Sequence, residues 1–401
     1  MLVLKRSHVY VLLAIALLLD AADAAPAQGP GAGETKKPFG LDTVIAFYGE
    51  PRDIASANFV LSGDWNYWKN RGGIASRGVT HQQFLGKMVD EAASTLANLD
   101  LGGNPNPVIT IDEFGWDFDG GIDRHTAAVL KATHEKKPDL KIVVWQMRGP
   151  VAPELAAVYR DTVELVLMET YFDLGDAWVI PFQLQTARLN GLVGKTIIGL
   201  GIGSESPNLG GQPWTRTKEE LEQQLHLIRF VAPESPGVAF FGLDRLGKCP
   251  LTAEQLDRLC TRFRQLPTNG DGLRPELLEL GKKFTKSYEN AAIFCSSAFA
   301  FPYFHSGHDG GPWGSTYQPP VARVLMMNLG RKDAKDIKAG LRSPGEGGGV
   351  WAEGRVDIPA QSVVVAILPI LPGKQWHGWG GTEILELDAP GCEVFNWKRK
   401  L

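Results

Sequence analysis

Four acidic residues and three aromatics crowd the stretch Val108 to Gly120, VITIDEFGWDFDG, directly behind a short apolar run. A run of Val, Ile and Thr reads as a buried strand, and one that stops in Asp112 and Glu113 delivers carboxylates to the edge where a parallel sheet opens. Glu164 to Tyr171, ELVLMETY, ends in the same manner in Glu169 and Tyr171. Carboxyl groups at two strand ends are equipment for hydrolysis by acid and base, one giving a proton while another attacks or activates water. Adjacent strand residues face opposite sides. With Ile109 and Ile111 turned to a helix layer, Thr110 and Asp112 point inward and Glu113 takes the lip where the strand bends away. One of this pair acts, and the other orients it or binds substrate. The same alternation sets Leu167, Glu169 and Tyr171 on one face.

Two further acids, Glu205 in the Gly203 to Pro213 loop and Asp244 behind FFGL, lie just past strand-like runs, and either could replace Glu169. Asp117 and Asp119 suit Asx turns, and Asp123 suits a helix cap. Aromatic residues gather at the same ends: Trp65 and Trp68 in DWNYWKNR, then Trp116, Trp145 beside Gln146, Tyr171 and Trp214. Sugar rings stack their C–H faces on aromatic planes while amides and acids take the hydroxyls, so this mixture fits a carbohydrate cleft, with some rings reserved for the core.

Other chemistries lack their residues. No strand end carries an HxH pair or a lysine placed for a Schiff base, and neither GxGxxG nor a Walker loop follows a strand, so no cofactor is expected. His305, His308 and Asp309 form HxxHD without a convincing third ligand type, so no metal is expected and the stretch reads as a solvated or domain-linking loop. In Gly199-Leu-Gly-Ile-Gly203 the glycines alternate, as small inward-facing residues that leave room inside a barrel.

The elements that must position these groups alternate with regularity. Apolar runs at Thr43 to Tyr48, Val108 to Asp112, Lys141 to Met147, Leu165 to Glu169, Thr196 to Ile202 and Val238 to Leu243 are each followed by helical spacing. Thr217 with Glu220 and Thr252 with Gln255 have the spacing of capping boxes. Asn58 to Leu61 and Ala291 to Cys295 complete eight strands, the number that closes a (β/α)8 barrel; an open doubly wound sheet is the alternative. Long polar and aromatic segments follow strands, as in Gly49 to Gly78, and short ones follow helices, which is the asymmetry of a barrel that builds its site on one face. Beyond Ala300 the helical period disappears, and strand-like runs at Arg323 to Leu329, Gly354 to Leu368 and Glu383 to Leu387 read as a small antiparallel β-sandwich.

Lys5 and Arg6, the apolar run Val9 to Leu19 and the small residues Ala22-Asp23-Ala24 read as a cleaved export signal over 1–24, the run being too short to span a bilayer. Residues 25–38, rich in Ala, Pro and Gly, read as a disordered tether. The expected division is then a catalytic barrel over 39–300, and a linker loop with the sandwich over 301–401. Export implies a secreted or periplasmic protein with no membrane contact after cleavage. Net charge is -4 without a basic block, which offers nothing to nucleic acid. The four cysteines show no CxxC pair; Cys249 with Cys260 is the local disulfide candidate, and buried free thiols are the alternative. Nothing in the sequence sets the oligomeric state.

On IDEFG at 111 to 115, LMET at 167 to 170, the aromatic strand ends and the element order, the chain resembles the glycoside hydrolases with a (β/α)8 catalytic barrel and an appended C-terminal β-sandwich. The resemblance spans about 39 to 401 and singles out no family. The pattern of an acid/base Glu preceded by Asn after the fourth strand is not reproduced, since Asp112 stands before Glu113. The resemblance carries over no family's residues, and the reading of this chain's own residues is an exported glycosidase acting on poly- or oligosaccharide. Glu113 would be general acid/base, Glu169 nucleophile or general base, and Asp112 their modulator. Trp65, Trp68, Trp116, Trp145, Gln146, Tyr171, Trp214 and Asp244 would contact substrate. A non-catalytic carbohydrate-binding barrel and, through the His305 cluster, a metal-dependent deacetylase or lyase are the alternatives.

Overall fold

The structure is a computed structural model. It describes residues 37–401 apart from 62, 81–86, 105–106, 115–119, 147–148, 172–173, 205–213, 244–245, 247–249, 304–320, 344–348, 373–383 and 398–401. The signal at 1–24 and nearly all of the tether at 25–38 lie outside the described residues. So do Trp116, Asp117, Asp119, Glu205, Asp244, Cys249 and the His305, His308 and Asp309 cluster.

Eight parallel strands close into a barrel. They are β1 (Val44–Tyr48), β2 (Phe59–Leu61), β3 (Ile74–Thr80), β4 (Val108–Phe114), β5 (Lys141–Gln146), β6 (Val163–Thr170), β7 (Thr196–Gly201) and β8 (Gly237–Phe241). Each pairs with the next in sequence, and β8 returns to β1 with Val44 opposite Gly237 and Phe47 opposite Phe240. At this closing seam a Cβ on Gly237 would lie 1.8 Å from the Val44 carbonyl oxygen, so only glycine lets the two backbones meet. The link from β1 to β2 carries no helix. Around the barrel run α1 (Trp65–Asn70), α2 (Val89–Ala97), α3 (Gly120–Lys136), α4 (Pro153–Thr162), α5 (Val179–Leu189), α6 (Lys218–Val231), α7 (Ala253–Arg262) and α8 (Pro275–Thr285).

The barrel is therefore as expected, with one strand reassigned. Ala291 to Cys295 is no barrel strand: it opens β9 (Ala292–Tyr303), which pairs within a separate sheet. The eighth barrel strand is Ile74–Thr80, most of it in the stretch Gly49 to Gly78 read as a long loop. Its Ser76, Gly78 and Thr80 face inward, so the sequence lacks the apolar run of a buried strand. Asn58 to Leu61 does contain a barrel strand, β2. Both capping boxes form, with Thr217 and Glu220 on α6 and Thr252 and Gln255 on α7.

Strand alternation divides the core into two layers. Ile45, Phe47, Ile109, Ile111, Ile142, Val144, Val166, Met168, Ile198 and Leu200 point outward to the helices. Val44, Ala46, Phe59, Leu61, Val108, Val143, Trp145, Leu165, Leu167, Ile197 and Ala239 fill the lumen. The N-terminal end is sealed by the turn Pro38–Gly40, where Phe39 stacks on Phe59 at 5.3 Å and its amide donates to Glu164 at 2.8 Å.

The rest of the chain adds β10 (Val321–Asn328), β11 (Ala334–Arg342), β12 (Val350–Ile358), β13 (Ser362–Pro369), β14 (Ile384–Asp388) and β15 (Glu393–Trp397). They form a four-stranded sheet, β13-β10-β9-β15, and a three-stranded sheet, β12-β11-β14, packed on a shared core that includes Ile293, Val324, Met326, Ile337, Leu341 and Trp351. The pairs are antiparallel except β9 with β15, which run parallel. The β layer thus begins at Ala292, and it belongs to the same compact unit as the barrel, Thr35–Leu401. Among the described residues Cys260, Cys295 and Cys392 are free thiols, and the candidate partner Cys249 lies outside them; Cys260 sits in the core beside Ser56, and burial pushes its pKa up.

Candidate active site

The C-terminal mouth of the barrel is built by the last inward-facing residues of five strands. On β4, Thr110 is enclosed and shares a 2.6 Å hydrogen bond with Ser76, and two residues later Asp112 reaches the mouth. Pairing of β4 with β5 is in register to Ile111 opposite Val144 and resumes with Phe114 opposite Gln146, so an extra residue is accommodated at Asp112–Glu113. Such a bulge re-aims side chains at a barrel rim. Asp112 accepts the Tyr48 hydroxyl at 3.2 Å. Tyr48 is the last residue of β1, and its inward phase follows from Val44 and Ala46.

Trp145 of β5 forms the floor. Its indole N–H donates to the Tyr171 hydroxyl at 2.8 Å, and the Tyr48 ring meets it edge-on at 5.7 Å. Gly199 of β7 lies against the indole: a Cβ there would meet Trp145 Cζ2 at an ordinary 3.6 Å and crowd the Met168 carbonyl oxygen at 3.3 Å. Tyr171 stacks on Phe241 of β8 at 4.8 Å, and Phe241 meets Tyr48 at 5.3 Å, closing an aromatic ring around the mouth.

Glu169 lies on the lumen phase of β6, two residues beyond Leu167 and two before Tyr171. Its charge is felt at the Tyr171 phenol. Burial raises the phenol's pKa well above the ordinary tyrosine value; Glu169 adds to this, the Trp145 N–H opposes it, and Asp112 and Tyr48 contribute smaller increases. Carboxylates from β4 and β6 thus both act on the ionisation of one neutral phenol. Strands two apart stand roughly 10 Å from each other, and inward side chains converge from there.

Several sequence-predicted contacts are placed elsewhere. Trp68 is fully enclosed on α1 within the barrel–helix core, where the Asp64 cap, accepting from the Asn66 and Tyr67 amides, phases the helix so that Trp68 turns inward. It cannot touch substrate. Gln146 follows Trp145 and so faces the helix layer, where its Oε1 accepts the Tyr159 hydroxyl at 3.0 Å; it is a packing bond and no sugar contact. Trp145 itself is 1% exposed, which makes it a support for Tyr171 and not a stacking platform. Trp65 is half-buried just past the β2 exit, with the Lys69 ammonium 5.8 Å from its ring. Glu113 is in β4 and Trp214 in a two-residue ribbon with Ser204, but their side chains, like Trp116 and Asp244, lie outside what is described.

Tyr48, 38% exposed, and Phe241 were not singled out as site residues, although counting by two from Ala46 and Ala239 puts both in the lumen phase. Arg216 was also passed over: its guanidinium is enclosed beside the β7 exit, with its amide donating to the Ile202 carbonyl at 2.9 Å. Among the described residues no group of three or more His, Cys, Asp or Glu could hold a metal ion, and no helix is long and apolar enough to cross a membrane.

No family model and no curated protein matches the chain. Solved structures do. One is an endo-β-N-acetylglucosaminidase from Cordyceps militaris, 13% identical, covering 59% of this chain and 98% of its own, with a TM-score of 0.40. A xylanase from Thermobacillus composti is 13% identical over 55% of this chain and 97% of its own, with a TM-score of 0.35. A β-glucuronidase from Parabacteroides merdae is 9% identical over 90% of this chain and 49% of its own, with a TM-score of 0.32. These proteins are glycoside hydrolases. The barrel assigned to the present chain stands on its own strand pairing.

Proposed function

We propose that the chain is an exported glycoside hydrolase acting on poly- or oligosaccharide. The observation that carries this reading is that Asp112 and Glu169, on strands separated by β5, both bear on a protonated Tyr171 within a ring formed by Tyr48, Trp145, Tyr171 and Phe241. Glycoside cleavage needs two carboxyl groups flanking the bond, about 5 to 5.5 Å apart for retention or about 6.5 to 9.5 Å for inversion. That the acids on β4 and β6 stand on strands separated by β5 alone supports this reading.

In the proposed reaction Glu113, at the bulged lip of β4, protonates the leaving oxygen. Glu169 attacks the anomeric carbon or activates the water that does. Asp112, held by Tyr48, modulates Glu113 and stabilises positive charge developing on the sugar ring. The exposed Tyr48 ring offers an apolar face for a sugar, while the phenol of Tyr171 supplies a hydrogen bond without adding charge.

The test is hydrolysis of plant, algal and bacterial polysaccharides and aryl glycosides by the mature chain from Ala25. Sugar release supports the reading. Silence across the panel, with glycans still bound on an array, would replace it with a carbohydrate-binding barrel.

A further inference from the structure

We propose that Gln183 is a positioning residue for Glu169, and that the C-terminal four-stranded sheet fixes Gln183 by seating α5. The assignment of Glu169 as a reacting group rests on the glycosidase reading; the positioning geometry does not.

Among the described residues the pairing of β6 with β5 runs to Gln146 opposite Met168, and Glu169 and Thr170 pair with β7, opposite Gly199 and Leu200. Gln183, 1% exposed, supplies a further hold from the helix layer. Its Nε2 donates to the Glu169 carbonyl oxygen at 3.3 Å, and its Oε1 accepts the Thr170 hydroxyl. One buried amide therefore fixes the backbone of the proposed reacting residue and the side chain that follows it. A buried amide is retained where both its ends are satisfied, and here both are spent on the β6 exit.

The helix that carries Gln183 is itself clamped. Every residue from Val179 to Ala187 of α5 is buried, unlike the one-sided burial of a helix that faces solvent. Its outer face meets the sheet: Trp178 lies parallel to Trp397 with centroids 6.1 Å apart, and Phe182 meets Phe284, which stacks on Trp397 at 5.0 Å. Val179 and Phe182 share one apolar cluster with Phe294, Leu325, Met327 and Val363 from β9, β10 and β13. Phe182 and Gln183 are consecutive, so a helix displaced outward on losing the Trp397 contact carries Gln183 with it. A hydrogen bond already at 3.3 Å does not survive a further ångström, and an error of that size at a reacting group costs about 100-fold in rate.

The experiment compares full-length wild type with Gln183→Leu, Gln183→Glu and Trp397→Ala. The first readout is amide hydrogen exchange of residues 165–171, and the second is kcat and KM on the aryl glycoside that wild type cleaves fastest. Gln183→Leu is expected to speed exchange at least tenfold and to lower kcat about 10- to 100-fold with KM within about twofold at every pH. Gln183→Glu keeps both bonds while its carboxyl is protonated, so its kcat should stay near wild type at acidic pH and fall as that carboxyl ionises. A purely structural amide would give no such pH dependence. Trp397→Ala should speed exchange in the same segment. Unchanged exchange in Gln183→Leu would overturn the positioning role, and unchanged exchange at 165–171 in Trp397→Ala would overturn the part given to the sheet. If wild type cleaves no glycoside, the glycosidase reading fails while exchange still decides the positioning.

Discussion

The indole N–H of Trp145 donates to the hydroxyl of Tyr171 across 2.8 Å, joining β5 to the exit of β6 at the centre of the barrel mouth. Trp145→Phe keeps a ring but removes the donor and part of the floor. It should destabilise the protein by about 2 to 3 kcal/mol. It should also raise the Tyr171 pKa further, since the lost bond favours the phenolate. Thermal unfolding and titration of phenol absorbance measure both effects.

Tyr171 gives the fold a defined alkaline weakness. An unfolded tyrosine ionises near pH 10, and the folded Tyr171 does so well above this, mainly through burial and the Glu169 charge. Above about pH 10 the folded chain therefore binds more protons than the unfolded one, and stability falls as pH rises toward the folded pKa. Tyr288, pushed up to about 12 chiefly by burial, adds a change of the same sign. Denaturant unfolding between pH 8 and 12 should show a steeper alkaline loss for wild type than for Tyr171→Phe, with the Tyr288 contribution remaining in the variant.

The opposite end of the barrel should affect stability without affecting the site. Arg264 donates to Thr43 Oγ1 and to the carbonyls of Asp42 and Pro236, at 2.8 to 2.9 Å, tying together the starts of β1 and β8. Arg264→Ala should cost about 2 to 3 kcal/mol, typical of lost bonds to a charged donor. Gly237→Ala, on the same seam, should cost about 3 kcal/mol or more because its methyl meets backbone. Melting curves give both losses, and any turnover per folded molecule should stay at the wild-type level in Arg264→Ala.

Much of this architecture was legible where the side-chain period was clean. Ile109 and Ile111 outward with Asp112 inward followed from alternation alone, as did Leu167, Glu169 and Tyr171 on one face and the glycines of β7 in the lumen. The same rule, carried one residue beyond Trp145, turns Gln146 away from the cleft, and an Asp64 cap ahead of WNYW marks a helix where a loop was read. Ile74–Thr80 was hidden because a lumen strand bearing Ser76 and Gly78 has no apolar run. Ala292 onward was misplaced because an apolar strand does not reveal which sheet it joins. The hold of Gln183 on Glu169 links α5 to β6 through one amide, and no local pattern encodes it.

The central claim is that carboxylates at the exits of β4 and β6 cleave glycosidic bonds, and turnover of Glu113→Gln and Glu169→Gln beside wild type tests it most directly. With the substrate that wild type cleaves fastest, each variant should fall by a factor on the order of 100 to 10,000 while melting at the wild-type temperature. Near-normal turnover in both variants would contradict the assignment.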